Sequence, residues 1–298
     1  MTGTVFDIGY QRYTGPREGR SRGRLAVFKD GVRTALGLGR GAHAKALPWL
    51  FIAVLSVIAL ILAMVAGAVK LFEGPDAASE IPSHSDYYGM VAIIIFVFAA
   101  VVAPELLCRD RRERAIDLYL VRPLSGSDYI VGRWCAFLAV MAGAVWLPQI
   151  VMLVGLAMGD PEPVAYLRAH WLDIPRFLLA GLVFAAYTTT LAMLTASFTT
   201  RRAYASVFLV GLFVITTPFT IGLAAEIEGR AGQWISMFDF TQIPVHVNDL
   251  IFGEVNMMTD ELETPAGTLP SWVLVSWYLA WTLVPGAVLW LRYRRLSP

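Results

Sequence analysis

Charge is what this chain has least of. Across 298 residues only 16% are Asp, Glu, Lys or Arg, while 57% are hydrophobic. Ordinary soluble domains carry charge on about a quarter of their residues, so that class is excluded. Cysteine is nearly absent: Cys108 and Cys135 are the only two. Two thiols are too few for an oxidised framework and read as small apolar fillers. No Gly-x-x-x-x-Gly-Lys-Ser/Thr sequence occurs, so the chain lacks a P-loop to cradle nucleotide phosphates. No His-Glu-x-x-His, nucleophile elbow or Cys-x-x-Cys occurs either, which removes the common metallopeptidase, hydrolase and thiol-redox chemistries. The first 46 residues are polar and basic, without a short apolar region and small-residue cleavage site. No cleaved signal peptide is therefore expected. No repeat of solenoid length is present.

What the chain does have is long uncharged runs. They cover residues 47–69, 87–104, 134–159, 177–200, 203–225 and 264–291, the last spanning from near Ser271. Each is long enough to cross a hydrocarbon core of about 30 Å as a helix rising about 1.5 Å per residue. Trp49, Tyr87, Tyr88, Trp134 and Trp290 stand at run ends as interfacial anchors. The expected fold is an all-α membrane protein with six transmembrane helices. Residues 47–298 form one six-span domain, preceded by a basic tail over 1–46. No Asp, Glu, Lys, Arg or His lies near the middle of any run. Ionisable groups there mark proton relays and ion paths, so a proton-driven carrier or dedicated ion channel is disfavoured.

Basic residues fix the expected orientation. With the N-terminus inside, 20 of the 24 Lys and Arg fall on the inner side, leaving Lys70, Arg168, Arg176 and Arg230 outside. Both termini are then cytoplasmic. Residues 226–270 become an external segment with eight carboxylates against Arg230. Within it, residues 234–252 are apolar enough for a re-entrant or interfacial helix pair broken at Pro244. Near the start, Leu25, Phe28, Val32, Ala35 and Leu36 recur at three- and four-residue steps among Arg24, Lys29 and Arg33. That pattern over 24–38 predicts a basic amphipathic helix on a membrane surface, attracted to anionic lipid. Gly31, Gly37 and Gly39 disfavour it.

The densest charge lies between the second and third runs, from Arg109 to Arg114. Pro123 stops a helix at the residue before it. Ser125 and Asp128 form a capping-box pattern, with Leu124 and Tyr129 placed as its hydrophobic staple. The stretch reads as helix, sharp turn, new helix, tied directly to two spans. The order Glu113-Arg114, then Pro123-Leu124-Ser125, then Asp128-Tyr129 and Gly132-Arg133, resembles permease subunits of ATP-binding-cassette transporters of the type-2 exporter class. Gly126 departs from the pattern, where a basic residue is common. The motif occupies residues 104–133, and the six-span layout extends the resemblance loosely over the chain. Such permeases resemble this chain also in short re-entrant helices before the last span.

The resemblance implies a transport subunit rather than an enzyme, in the cytoplasmic membrane of a bacterium. It implies a second copy or a homologous permease as partner, two separate ATPase subunits that carry ATP and Mg, and surrounding membrane lipids. No cofactor, metal or nucleic acid is expected on this chain itself. The ATPase contact is expected at Glu105, Glu113, Arg114, Asp117, Arg122, Pro123, Ser125, Asp128 and Tyr129. Glu105 reads equally as an interfacial carboxylate paired with arginine, and the 109–114 cluster as a site for anionic lipid heads. Within the spans Gln149, Thr188, Thr189, Thr216 and Thr217 are candidates for a substrate path, or for hydrogen bonds that pack helices. Pro148, Pro218 and Pro285 are hinges or kinks. His84, His170 and His246 fall outside near Asp86, Asp173 and Asp249 without ligand spacing, as scattered loop histidines. The rival functions are a lipid-modifying membrane enzyme and a non-transporting membrane scaffold.

Overall fold

A computed structural model describes residues 19–39, 41–73, 83–116, 124–227, 229–253 and 269–295. Its helices are α1 (Arg20–Ala35), α2 (Ala42–Glu73), α3 (His84–Arg112), α4 (Gly126–Met158) and α5 (Pro163–Ala169). They continue with α6 (Asp173–Phe198), α7 (Arg202–Glu226), α8 (Arg230–Ser236), α9 (Gln242–Phe252) and α10 (Ser271–Arg294). No strand occurs among the described residues. Six helices, α2, α3, α4, α6, α7 and α10, are long and apolar enough to cross a membrane. The chain is an all-α, multi-pass membrane protein.

The helices outrun the uncharged runs that announce them. α3 continues past Glu105 to Arg112, and α4 begins at Gly126 rather than at Trp134. Both start on capping boxes: Ser83 with Asp86, and Ser125 with Asp128. In each, the serine hydroxyl accepts a backbone N–H that the helix leaves orphaned, and the aspartate accepts the serine N–H in return. α3 is the most enclosed span, with α6 and α7 against it. Tyr88 stacks on Phe184 at 5.2 Å and Phe96 on Phe213 at 4.3 Å between ring centroids. α2 lies along α4, where Gly155 leaves no room for a Cβ beside Ala63. Met64, Val207, Ile215, Phe219, Leu283 and Val284 project outward from α2, α7 and α10. Side chains of this kind belong against lipid or another apolar surface, not water.

The segment between α7 and α10 folds back into the bundle. Thr241 donates its hydroxyl to the Phe213 carbonyl at 3.1 Å, and Tyr187 donates to the Phe240 carbonyl at 3.0 Å. Phe213 lies about 20 Å along α7 from its Glu226 end at 1.5 Å per residue, so the tip reaches near mid-helix. α9 then returns, and Asn248 donates to the Ser85 hydroxyl at 2.7 Å at the start of α3. The helix pair thus dips between α6 and α7 and returns, but it does not break at Pro244. The break is residues 237–241, and Pro244 sits in the first turn of α9, where its missing N–H costs no helical bond.

α1 is docked on α4, and the two run in the same direction. A Cβ on Gly31 would sit 2.6 Å from that of Ala136, and one on Gly132 would sit 2.9 Å from Val27. The buried stripe is Val27, Gly31 and Ala35, whereas Leu25 faces outward. The glycine that disfavoured a helix is thus the residue that lets two helices touch. Gly37, at φ 65°, ends α1: the Leu38 N–H reaches the Arg33 carbonyl at 2.7 Å and the Gly37 N–H reaches that of Thr34 at 3.1 Å. This is a Schellman end. Gly31→Leu should force α1 off α4, with overpacking worth about 1–3 kcal/mol. The check is limited proteolysis of the purified chain, with faster cleavage within 20–38 expected in Gly31→Leu and not in Gly41→Ala, which has open space around it.

Candidate functional site

The run of charges between the second and third spans divides by direction. Asp110 turns inward. It accepts the Tyr129 hydroxyl at 2.7 Å and an Arg133 guanidinium N–H at 2.6 Å. Arg133 is 1% exposed and also pairs with Asp30 of α1 at 2.8 Å. Its guanidinium lies 5.6 Å from the centre of the Tyr129 ring, and that ring stacks on Tyr293 of α10 at 5.8 Å. Arg111 donates to the carbonyls of Ser197 and Thr199 at the end of α6, satisfying groups that the helix leaves orphaned. Arg109, Arg112 and Glu113 stay outside, with Glu113 accepting Arg109 at 3.1 Å.

A second ion cluster lies one turn away. Asp128 accepts Arg20 Nε and Arg24 Nε, each at 2.7 Å, while its other bonds hold the Ser125 cap. The charge order on α1 is basic at 20 and 24, then acidic at 30; on α4 it is acidic at 128, then basic at 133. Arg24 to Asp30 spans about 9 Å of helix and Asp128 to Arg133 about 7.5 Å, so the two pairs close in one register. Beside them α1 and α4 border an open groove of about 500 Å³, lined by Leu25, Phe28, Val131 and Cys135 with Arg24 and Asp128 at the rim.

The expected contact residues separate in this geometry. Ser125, Asp128 and Tyr129 form the start of α4, Asp128 and Tyr129 being buried, and Asp128 faces α1. Glu105 is paired with Arg202, the first residue of α7. Glu113 and Arg114 project at the end of α3, where Arg114 has φ 52°. Arg114 occupies the left-handed position after the helix that glycine usually takes, a strain of order 1 kcal/mol held at an exposed turn. Asp117, Arg122 and Pro123 lie outside the described residues.

The candidate path residues are placed as follows. Gln149 is buried and donates to the His84 carbonyl at 3.1 Å, while its carbonyl meets His84 Nδ1. Thr188 bonds back to the Phe184 carbonyl at 2.7 Å, and Thr216 to that of Phe213 at 3.5 Å. Among the described residues the buried Thr189 hydroxyl has no partner, and Thr217 donates to Asp239 at 3.0 Å. Of the three histidines expected on loops, only His170 is exposed, stacked on Tyr166 at 4.1 Å. His84 and His246 are buried in α3 and α9. His84 was misread because a polar residue beyond an uncharged run looks like loop, although α3 extends there, while His246 lies in the segment already read as a helix pair.

Sequence reasoning missed the α1 side of this junction, Arg20, Arg24 and Asp30, and the inward turn of Asp110 and Arg133. One signal was available: residues 109–114 hold two acids, Asp110 and Glu113, among four arginines, so each acid has cations in reach to pair with. Removing Arg133 strands Asp110 and exposes the α1 contact. Arg133→Met should destabilise the chain by about 3–5 kcal/mol, the cost of breaking a buried pair from one side. Arg20→Ala, at a half-exposed pair, should cost under about 1 kcal/mol. Thermal unfolding in detergent checks both, and Asp110→Asn added to Arg133→Met should recover part of the loss.

No curated protein matches the chain by sequence. A family model described as ABC-2 family transporter protein matches residues 69–291, which takes in α3 to α10 apart from the last residues and leaves α1 and most of α2 outside. The match covers well over half of the chain and coincides with five of its six membrane-crossing helices. The chain belongs to the ABC-2 family of transporter proteins and is a permease of the ABC-2 type.

Proposed function

We propose that this permease is the membrane half of an ATP-driven exporter, energised by separate ATPase subunits that bind ATP and Mg, and completed by a second copy or a homologous permease. The basic asymmetry supports an orientation in which α1, the end of α3 and the start of α4 face the cytoplasm. The observation that carries the reading is the Arg133 junction. One buried guanidinium ties α1, α3 and α4 together immediately beside the projecting Glu113–Arg114 turn. A push on that turn would reach the spans through helices already joined by ion pairs and close packing, without a flexible link. The partner ATPase would meet Glu113 and Arg114 directly and Asp128 through α1. The work is mechanical, and the residues named bind, brace and transmit rather than catalyse.

Glu113→Lys and Pro123→Gly should fail differently. Glu113→Lys places like charge against a cationic partner and removes the Arg109 pair, and exposed charges mainly tune association. It should lower ATPase recovered in a pull-down at low salt, with the deficit relative to the native chain shrinking at high salt as the charges are screened. Pro123→Gly removes the fixed φ expected before the Ser125 cap without changing any charge. It should leave assembly intact and uncouple ATP hydrolysis from export. If neither variant alters assembly or transport at matched expression, the segment is an ordinary solvated connection.

A further inference from the structure

The re-entrant hairpin carries an ionisable group to a depth where no span supplies one. Asp239 stands in the tip between α8 and α9 and is 2% exposed. Its Oδ1 accepts the Thr217 hydroxyl at 3.0 Å and the Thr241 N–H at 2.9 Å. Thr217 lies about 14 Å in from the Glu226 end of α7 at 1.5 Å per residue. A carboxylate so enclosed is costly unless a cation pairs with it. Among the described residues no Lys or Arg does.

The groups around it bring no positive charge. α7 presents Thr217 and Thr220, and α9 presents Gln242 after Thr241. α6 presents Tyr187, whose hydroxyl donates to Phe240, and α10 presents Tyr278, stacked on Tyr187 and donating to the Val183 carbonyl. His246, one turn beyond Gln242 on α9, is held neutral near pH 7, since burial pushes its ring down to about 4. Burial likewise pushes the Asp239 carboxyl above its ordinary range.

Oδ1 has two donors, while Oδ2 is buried and has no partner among the described residues. Thr220 lies beside the carboxyl and gives its own proton to the Thr216 carbonyl at 2.8 Å. A carboxylate here would be a buried charge with one oxygen unpaired and no cation beside it among the described residues, whereas a carboxylic acid in the same place carries no charge. We propose that Asp239 is a proton-binding site: it holds a proton on Oδ2 while the hairpin tip is docked on α7, and releases it to water when the tip leaves. Proton binding then favours the docked hairpin.

The test uses the full chain in lipid nanodiscs. The infrared difference between wild type and Asp239→Asn at neutral pH should show loss of a protonated-carboxyl C=O band. Loss of a carboxylate band instead overturns the proposal. Thr217→Val keeps the acid and removes a donor to Oδ1, so that C=O band should shift to higher frequency; an unshifted band overturns the assignment. Thermal unfolding adds a readout independent of spectra. A raised folded-state pKa means the folded chain binds more protons above the ordinary carboxylate range, so wild-type stability should fall as pH rises through the folded value. Asp239→Asn should lose that slope, and equal slopes in both proteins count against the site. None of these readouts needs ATPase or cargo, so they fail or succeed apart from the exporter reading.

Discussion

A guanidinium buried where helices meet must be matched by carboxylates, and Arg133 takes them from two different helices. Asp110 comes from the end of α3 and Asp30 from α1. The rest of the charged end follows from that requirement. α3 must end near the start of α4 so that Asp110 can reach Arg133 and Tyr129. α1 must lie close enough for Asp30, which only glycine and alanine at the helix contact allow. Tyr129, fixed by Asp110, offers its ring to Tyr293 and thereby brings in α10. Such a junction adds little net stability over an apolar one of the same shape. What it adds is register, because the α1 and α4 charges close both ion clusters in only one alignment.

The six spans were legible because composition alone dictates them: an uncharged run of that length has few other fates. Their ends were not. A window for hydropathy stops at the first charge, yet Asp128 and Arg133 are helical and buried because other helices supply their partners. The Ser125–Asp128 cap was legible, since it needs only residues close in sequence. The face of α1 read from periodicity shares Ala35 with the packing face, and Val32 and Leu36 pack beside it, but Val27 and Gly31 were missed. Hydrophobic periodicity does not find a glycine placed for close approach.

The hairpin shows the same limit from another side. Its apolar character was visible, and so was the acidic loop that holds it. The break was assigned to Pro244, but a proline in a first helical turn is tolerated, and the chain turns instead through residues 237–241. Surveying the middles of the uncharged runs for Asp, Glu, Lys, Arg and His found none, and that survey misses Asp239, carried inward by a segment that crosses nothing. The family match takes in the hairpin and both inner partners of the ion junction, Asp110 and Arg133, but not α1. The junction thus joins the family's shared core to a helix that the match does not cover.

If α1 and α4 move as one unit, their separation should not change as the ATPase works. Spin labels at Lys29→Cys on α1 and Met158→Cys at the far end of α4 report that separation by pulsed dipolar spectroscopy in the assembled complex. The account predicts one narrow distance, the same with and without a non-hydrolysable ATP analogue, that broadens when Arg133 is replaced by Met. A broad or nucleotide-dependent distance in the otherwise native chain would contradict it.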